Sequence, residues 1–475
     1  MQLTIYNTLH GKEEAFKPLN EGTVGFYSCG PTVYEYAHMG NLRTYIFNDI
    51  LKRVLRYDGF KVKHVMNITD VGHLTSDADT GEDKVEMSAI REGRSVCEIA
   101  QHYTNAFKED IRKLNITEPD IWCKATDHID DMIKMIKTLE TKGYTYTSNG
   151  NVYFDTSKFE HYAEFAGLRT SSLVAGARTG LDKNKRCPLD FVLWFTLESS
   201  KFGKAHAMKW DSPWGVGYPG WHIECSAMSS KYLGEQFDIH TGGIDHIPVH
   251  HTNEIAQAEA AFGKHPWVQY WLHGNFLIVE RGKMAKSAGN FIRMASIEEH
   301  GYEPLAYRFF CLNAHYRSEL NFTWEALDSA QKGYDRLKKK IVELKSEATK
   351  SAPDKAFRDL SGIASYNDKF EDAINDDLNM PVAIATLLEL VNDSTIESRP
   401  KLHRLLRMDE VLGLGIRNME KRNLLVPEEV QKLLEERENA RKRKDWQMAD
   451  TIRKKIMEYG FSVVDTPDGQ KLDRK

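Results

Sequence analysis

The chain has 475 residues, a formal net charge of −5 and 28% charged residues. This length requires more than one domain, because single hydrophobic cores stop growing at about 250 to 300 residues. The small acidic excess excludes a globally basic surface for nucleic acid, so any such contact must be local. The N-terminus shows no basic segment before an apolar run, and no apolar stretch is long enough to cross a bilayer, so we expect a cytoplasmic protein without membrane contact. The six cysteines form no CxxC motif and are expected to be reduced thiols.

A strand, a loop, a helix and a second strand follow one another near the N-terminus. TVGFYSC predicts the first strand, and GPTVYEYAHMGN predicts the loop. LRTYIFNDILKRVLRYDG predicts an amphipathic helix that Gly59 closes, and FKVKHVMNITD predicts the next strand. This order is typical of a parallel sheet, so we predict an α/β protein with a Rossmann-like catalytic domain whose first half is 1–84.

The middle of the chain predicts an insertion and then a return to the sheet. Residues 85–205 mix helical patterns with NGNVYFDTS and DFVLWF, which favours an inserted connective segment. The sheet pattern resumes at EQFDIHTGG and reaches VQYWLHGNFLIVERGKMAKSAGN, so we assign 206–325 to the second half of the catalytic domain.

Beyond this point long helical patterns without strand signals predict an all-α C-terminal region. We expect a helical bundle over 326–425, with a linker around 346–360, and a helical hairpin over 426–475. In the hairpin Pro427 suits a first helical position and Gly460 a C-terminal cap. One stripe should pack against the preceding helix; it consists of Trp446, Ala449, Ile452 and Ile456.

Two short segments are candidates for phosphate binding. His38 and Asn41 stand at the start of a helix, where backbone N–H groups and the helix dipole attract phosphate. Lys283 and Lys286 lie in GKMAKSAGN, a loop of small residues that could close over a triphosphate. Each segment alone is better explained as a helix cap or a solvated basic loop. Their combination and order favour a nucleotide site.

The amphipathic run PVHHTNEIAQAEAAF contains His250 and Glu254, one helical turn apart on the same face. The pair could bind a metal ion together, whereas His251 points elsewhere. A solvated polar contact is the commoner explanation for such a pair, because a metal site needs three or four ligands. Any further ligands must come from elsewhere in the chain.

The motifs HMGN and KMAKS match the HIGH and KMSKS signatures of class I aminoacyl-tRNA synthetases. More specifically, the chain resembles the cysteinyl-tRNA synthetase family over nearly its full length. The resemblance is carried, in the family's order, by YSCGPTVYEYAHMGNLR, NITD, GWHIECSAM, FDIHTGGIDHIPVHHTNEIAQ, KMAKSAGN, AHYRSELNFTWEAL, DDLNMPVAIATLLEL and ENARKRKDWQMADTIR.

The resemblance implies ATP-dependent joining of L-cysteine to cysteine tRNA through a cysteinyl-adenylate. It implies one Zn²⁺ that selects the substrate thiol and Mg²⁺ bound with ATP. It also implies four zinc ligands, namely Cys29, Cys225, His250 and Glu254, with His251 as a neighbour. Thiolate, imidazole and carboxylate donors are a reasonable set for zinc. We further expect a monomer.

Other site residues are likewise implied by the resemblance. The amino-acid pocket should be formed by Thr69, Trp221 and His240, although core packing is an alternative for Trp221. Catalysis and ATP binding should fall to His38, Asn41, Lys283 and Lys286, with Gly242, Gly243 and Asp245 near the adenosine. The C-terminal helices should read the anticodon, and the basic runs 338–340 and 441–444 are either phosphate contacts or solvated helix faces.

The chain departs from the family pattern at several positions. Asn41 replaces the last histidine of HIGH, Ala285 replaces the serine of KMSKS, and Thr241 replaces a glycine. The longer segment VGHLTSDADTGEDKVE could form a lid. Two other functions stay open: a ligase that transfers cysteine to a small amine, and a noncatalytic tRNA-binding paralogue. The retained C-terminal region argues against the first, and the retained ligands and lysines argue against the second.

Overall fold

The computed structural model describes residues 2–71, 74–76, 80–162, 164–165, 167, 183–197, 207–279, 282–283, 291–350, 361–420, 427–466 and 469–474. The chain divides into two compact units, Met1–Asn418 and Met419–Lys475. The bounds of the five segments that we predicted from the sequence remain predictions.

The first unit opens with an antiparallel hairpin that the sequence analysis did not anticipate, β1 (Thr4–Asn7) and β2 (Lys12–Ala15). The predicted strand, helix and strand follow as β3 (Thr23–Ser28), α1 (Met39–Tyr57) and β4 (Lys61–Ile68). Helix α1 buries Leu42, Ile46, Ile50 and Val54, which recur every four residues on one face. Gly59 has a φ of +92°, which glycine adopts at no steric cost, and the chain turns there into β4.

The segment predicted as an insertion contains helices and two kinds of sheet. The elements from β4 to the end of this region, which includes the predicted insertion 85–205 and its flanks, are β5 (Leu74–Ser76), β6 (Thr80–Asp83), α2 (Lys84–Glu92), α3 (Val96–Lys113), β7 (Ile121–Lys124), α4 (Ile129–Thr141), β8 (Thr145–Ser148), β9 (Asn151–Phe154), β10 (Phe191–Thr196) and β11 (Gly217–Pro219). Strands β8 to β11 form an antiparallel sheet of their own, in the order β11-β10-β9-β8. Strand β7, in contrast, pairs with β4 in parallel and belongs to the central sheet.

After β11 the chain returns to the central sheet. Its elements are α5 (Trp221–Leu233), β12 (Phe237–Gly243), α6 (Thr252–Phe262), β13 (Val268–Gly274), β14 (Leu277–Val279), β15 (Gly282–Lys283), α7 (Met294–Glu299), α8 (Pro304–Leu312) and β16 (Leu320–Phe322). A π-helical turn, Ile247–His251, leads into α6. The expectation of an amphipathic α6 is wrong, because every residue from Thr252 to Ala261 is buried. The helix lies inside the unit and packs on α5 and α4.

The central sheet has five strands in the order β13-β12-β3-β4-β7. All four of its strand pairings are parallel. The predicted α/β class with a Rossmann-like sheet is therefore confirmed. The carboxyl ends of β3, β4 and β12 meet at one edge, which is where ligands bind in such sheets.

Four helices complete the first unit: α9 (Trp324–Lys350), α10 (Ser361–Asn375), α11 (Met380–Asn392) and α12 (Ser398–Leu412). The predicted linker at 346–360 is helical as far as Lys350, and the rest of it lies outside the described residues. A buried ion pair ties these helices to the sheet region. Arg308 Nη2 lies 2.7 Å from Asp49 Oδ2 of α1, both side chains are 0% exposed, and Arg308 Nε donates to Leu412 O (2.7 Å) at the end of α12.

The second unit contains the predicted helical hairpin, α13 (Glu428–Lys442) and α14 (Trp446–Glu458). Gly460 has the left-handed φ of +78° expected after a helix end, whereas Pro427 precedes α13 as its cap. The predicted apolar stripe is buried except at Trp446, which is 59% exposed, so its packing role is wrong for that residue. An antiparallel pair, β17 (Phe461–Thr466) and β18 (Gly469–Arg474), follows the helices. Among the helices of the described ranges, none is long and apolar enough to span a bilayer.

Candidate active site

A cavity of about 890 Å³ opens at the carboxyl edge of the central sheet. Many of the residues predicted from the sequence line it, namely Cys29, His38, Asn41, Thr69, Trp221, Cys225, Gly242, Gly243, Asp245 and His250. His240 and Glu254 are fully buried behind the wall. The structure thus brings the predicted amino-acid, metal and phosphate residues to one place.

The turn after β3 fixes the position of Cys29. A Cβ on Gly30 would lie 1.7 Å from the backbone oxygen of Asn67, so no other residue fits without moving the turn. Gly30 N donates to Asn67 Oδ1 (2.7 Å), and Cys29 N donates to Thr241 O (3.1 Å). Cys29 is therefore held between β4 and β12.

Four of the predicted residues form one candidate metal centre. The donor atoms of Cys29, Cys225, His250 and Glu254 lie within 4.8 Å of one another, and all four residues are buried. Helix α5 supplies the second thiol, the π-helical turn supplies the imidazole, and α6 supplies the carboxylate. Cys29 also groups with further histidines in two alternative sets, which include His240, His246 and His251.

A ring of histidines surrounds this centre. Glu254 is contacted through Oε1 by His250 Nε2 (2.9 Å) and through Oε2 by His240 Nε2 (3.0 Å). His250 Nδ1 lies 2.9 Å from His222 Nδ1. His240, predicted to line the amino-acid pocket, thus orients the carboxylate instead of facing the cavity.

His251 contacts both Cys29 and a further histidine, His273. Its Nε2 lies 3.4 Å from Cys29 Sγ, and its Nδ1 lies 2.8 Å from His273 Nε2. His273 Nδ1 in turn lies 2.8 Å from Thr8 Oγ1. The sequence analysis missed His222 and His273, and the only local signal was the density of histidines near the motifs that it used.

The ionisable groups of the centre shift one another's pKa values. Burial opposes the ionisation of Glu254, but the charges and hydrogen bonds of His250 and His240 lower its pKa to about 2. Burial also disfavours a charged His250, yet Glu254 and Cys29 raise its pKa to about 10. Burial works against a Cys29 thiolate too, but the Cys225 thiol and nearby imidazoles hold the pKa of Cys29 well below its usual value. A thiolate and a carboxylate are thereby buried beside a charged imidazole, and a metal ion bound by His250 would replace the proton of that ring, because the neutral imidazole is the ligating form.

Thr69 and Trp221, which we predicted to form the amino-acid pocket, both line the cavity. Trp221 is half-buried and stacks on His250, with ring centroids 4.0 Å apart and planes 12° apart. Thr69 Oγ1 donates to Glu224 Oε2 (3.0 Å), a fully buried carboxylate that the sequence analysis did not consider. Burial raises the pKa of Glu224 well above its ordinary value.

His38 and Asn41, which we predicted to bind phosphate, form the N-terminal cap of α1. His38 Nδ1 accepts from Asn41 N (3.1 Å), and Asn41 Oδ1 accepts from His38 N (3.2 Å). Since Nδ1 of His38 is an acceptor, the neutral ring carries its proton on Nε2. Both capping contacts use acceptor atoms, so the donor groups of these two side chains take no part in them.

Gly242 and Gly243, predicted to lie near the adenosine, are the last two residues of β12. A Cβ on Gly242 would lie 2.7 Å from the His251 ring and 2.8 Å from the His246 ring, so the imidazoles themselves require this glycine. Thr241, the residue that departs from the family, is buried and donates from Oγ1 to Asn48 Oδ1 of α1 (2.8 Å). Lys283 lies at the end of β15, where only its backbone is described, and Lys286 lies outside the described residues.

Comparison with known proteins identifies the family. The family model "tRNA synthetases class I (C) catalytic domain" matches residues 15–332, and "Cysteinyl-tRNA ligase anticodon binding domain" matches residues 425–471. The cysteine–tRNA ligase of Treponema denticola is 49% identical to the chain, over 98% of each protein. The chain belongs to the cysteine–tRNA ligase family. A second member, cysteine–tRNA ligase 1 of Burkholderia lata, is 48% identical over 99% of this chain and 97% of its own length.

Solved structures show the same fold in more distant synthetases. A methionyl-tRNA synthetase of Mycobacterium tuberculosis with bound methionyl-adenylate has a TM-score of 0.57 at 15% identity, covering 88% of this chain and 94% of its own. A LeuRS–tRNA–LeuAMS complex of Agrobacterium radiobacter has a TM-score of 0.61 at 11% identity, covering 84% and 85%. At these identities the likeness is one of fold. It places this cysteine–tRNA ligase family member among proteins with the class I catalytic architecture.

Proposed function

We propose that this chain joins L-cysteine to its cognate tRNA, using ATP and a cysteinyl-adenylate intermediate. The observation that carries the proposal is the buried group of two thiols, an imidazole and a carboxylate in the same cavity as the His38–Asn41 helix start. Membership of the cysteine–tRNA ligase family supports ATP, an amino acid and tRNA as substrates.

Zn²⁺ fits the four donors. Cys29, Cys225, His250 and Glu254 offer two sulfur, one nitrogen and one oxygen ligand, and zinc accepts all three donor types. Zinc would displace the proton of His250, because the neutral imidazole is the form that binds a metal. A bound zinc ion would take the substrate thiol as a thiolate, which the hydroxyl of serine, with its much higher pKa, would match poorly. Since shape alone separates such a pair by only about 1 to 3 kcal/mol, this chemistry supplies the selectivity.

The chain's own residues would carry the first step mainly by positioning and by charge stabilisation. His38 Nε2–H and the Asn41 amide would donate to the phosphates at the start of α1, where the helix dipole adds to them. Lys283 and Lys286 would neutralise the charge of the departing pyrophosphate, with Mg²⁺ on the phosphates. Gly242 and Asp245 would contact the adenosine, and Trp221 would form a wall of the amino-acid pocket.

Transfer RNA binding would involve the second unit. Arg441 is half-buried and 442–444 are exposed at the turn between α13 and α14, and Trp446 follows with 59% of its surface exposed. Cations beside an exposed aromatic ring are the usual means of holding single-stranded bases and their phosphates. In the other predicted run, Lys338 is paired with Glu303 and with Asp335 (2.8 Å), so Lys339 and Lys340 are its more accessible members.

A single protomer supplies all four metal donors, so the site requires no second copy of the chain. This supports our expectation of a monomer, which sedimentation equilibrium would test. A cytoplasmic location completes the proposal.

The deciding experiment is the charging of purified cysteine tRNA with labelled cysteine, beside a matched serine reaction and a cysteine-dependent exchange of pyrophosphate with ATP without tRNA. We expect both activities with cysteine and neither with serine. Exchange without charging would replace the proposal by a ligase that uses a small amine. The lack of both would favour a noncatalytic paralogue.

A further inference from the structure

A short antiparallel bridge joins the start of α1 to the start of α7. His38, before α1, is paired with Arg293, before α7, and Met39 N donates to Ile292 O (2.9 Å). Residues directly opposite each other in such a pair direct their side chains to the same side. The side chain of Arg293 therefore leaves the backbone on the same side as that of His38, the residue that we assigned to the phosphates.

The guanidinium of Arg293 lies over an aromatic ring of the cavity wall. Its central carbon is 4.8 Å from the ring centroid of Tyr36, which lines the cavity. Two neighbours hold this ring in place. Tyr36 Oη lies 3.2 Å from His102 Nε2, and Tyr103 packs edge-on against Tyr36 with ring centroids 5.0 Å apart. The cation is thus attached to a fixed part of the wall.

The side chain of Arg293 has donors left for an anion. It is half-buried, and none of the residues that the structure describes accepts a hydrogen bond from its guanidinium or forms an ion pair with it. Its charge acts on Asp110, but burial raises the pKa of Asp110 to about 7, so this carboxyl keeps its proton up to near neutral pH and is a weak counter-ion. A guanidinium carries five N–H donors in a fork that fits phosphate oxygens.

Arginine is also an unfavourable residue at this position of the helix. Arg293 is the N-cap of α7, and its side chain makes no capping hydrogen bond. Serine, threonine, aspartate and asparagine are preferred there, because their oxygen accepts from a backbone N–H of the first turn. Arginine offers only donors. The local structure of α7 therefore does not account for an arginine, whereas an anion in the neighbouring cavity does.

We propose that Arg293 binds the β- and γ-phosphates of ATP beside His38, and that Tyr36 is the positioning residue that holds the guanidinium at the cavity wall. This role rests on the proposed function, since it takes ATP as the ligand. Formation of an adenylate releases these two phosphates as pyrophosphate, so a fixed cation here stabilises the charge of the leaving group. Arg293 follows the segment that carries Lys283 and Lys286, and the bridge to His38 sets its position.

Arg293→Thr tests the phosphate contact without weakening the helix. It removes the guanidinium and supplies the hydroxyl that an N-cap favours, so the thermal midpoint should stay close to that of the parent. We would measure the binding of Mg·ATP and of AMP to the zinc-loaded protein by calorimetry, which requires no turnover. The loss of a charged hydrogen bond should weaken Mg·ATP binding by about 10- to 100-fold. AMP, which lacks the β- and γ-phosphates, should bind with the parent affinity.

Arg91→Met is the matched control for the charge of the cavity. Arg91 also lines the cavity, but its guanidinium is paired with Glu92 (3.2 Å). We expect this variant to bind both nucleotides as the parent does.

Two variants of Tyr36 test the positioning role. Tyr36→Leu removes the ring and should weaken Mg·ATP binding as Arg293→Thr does. Tyr36→Phe keeps the ring face and should recover most of the affinity. If Tyr36→Leu does not fold, the comparison of Arg293→Thr with Arg91→Met still decides the phosphate contact.

Parent-like binding of Mg·ATP by Arg293→Thr, or equal weakening of Mg·ATP and AMP binding, would overturn the inference while leaving the proposed function intact. An equal loss in Arg91→Met, or equal behaviour of Tyr36→Phe and Tyr36→Leu, would overturn it as well. Failure of the parent protein to bind Mg·ATP would instead count against the proposed function itself.

Discussion

Cys225→Ala offers the most direct test of the metal centre. The variant removes one of four buried donors and leaves Cys29, His250 and Glu254 in place. Four-ligand zinc sites contribute about 10 to 16 kcal/mol in total, so one ligand contributes on average about 2.5 to 4 kcal/mol. The zinc dissociation constant should therefore rise by about 100- to 1,000-fold. Cysteine-dependent exchange of pyrophosphate with ATP should fall with zinc occupancy.

Competition with a chromophoric chelator, followed by elemental analysis, measures this change. Cys311→Ala is the matched control, because Cys311 is also a buried thiol but lies outside all three donor groups. We expect the control to keep one zinc per chain with the parent affinity. Parent-like zinc affinity in Cys225→Ala would refute the four-ligand arrangement, and so would equal losses in both variants.

Three further predictions concern stability and tRNA. Arg308→Met removes the fully buried partner of Asp49 and leaves it only Arg53 (2.7 Å) as a cation, so it should lower the free energy of unfolding by about 1.5 to 3 kcal/mol in urea titrations, whereas Lys332→Met, which breaks an exposed pair, should not change it. Trp446→Ala should weaken tRNA binding in filter assays by about 1 to 3 kcal/mol while unfolding stays unchanged, since the ring is exposed. Burial raises the pKa of Asp110 to about 7, so the folded chain keeps a proton that the unfolded chain releases near pH 4. The free energy of unfolding should therefore fall as the pH rises from about 4 to about 7. Asp110→Asn should remove this part of the pH dependence.

The fold could be predicted well where local pattern and tertiary context agree. The β3–α1–β4 unit has the strand, helix and strand that its sequence predicts, with Gly59 after the helix end, and the parallel sheet follows from this order. The burial of α6 could not be predicted from local pattern. Small and polar residues such as Thr252 and Gln257 are buried by other helices that lie far from them in the sequence. The pair β17 and β18 had a local signal in the sequence, the segment TPDG after the apolar run FSVV, because such a segment is typical of a turn.

The candidate site also contains residues that the sequence predicted and residues that it did not. Spacing alone paired His250 with Glu254, but Cys29 and Cys225 are nearly 200 residues apart, and only the family resemblance brought them into the set. Neither the spacing of residues nor the family resemblance predicted the residues that hold the site in place. Glu224 and His273 act through contacts with residues more than 20 positions away, which no local pattern records.

The π-helical turn at Ile247–His251 makes the length of this segment as important as its composition. A wide turn contains one residue more than an ordinary helical turn, and such turns occur mostly at functional positions. Deleting one residue from it would rotate every side chain of α6 by about 100° relative to β12, a rotation set by 3.6 residues per turn. Glu254 would then leave His240 on β12, although no ligand had been mutated. We therefore expect functional relatives to vary in sequence here but to keep the number of residues between Gly243 and Glu254 constant.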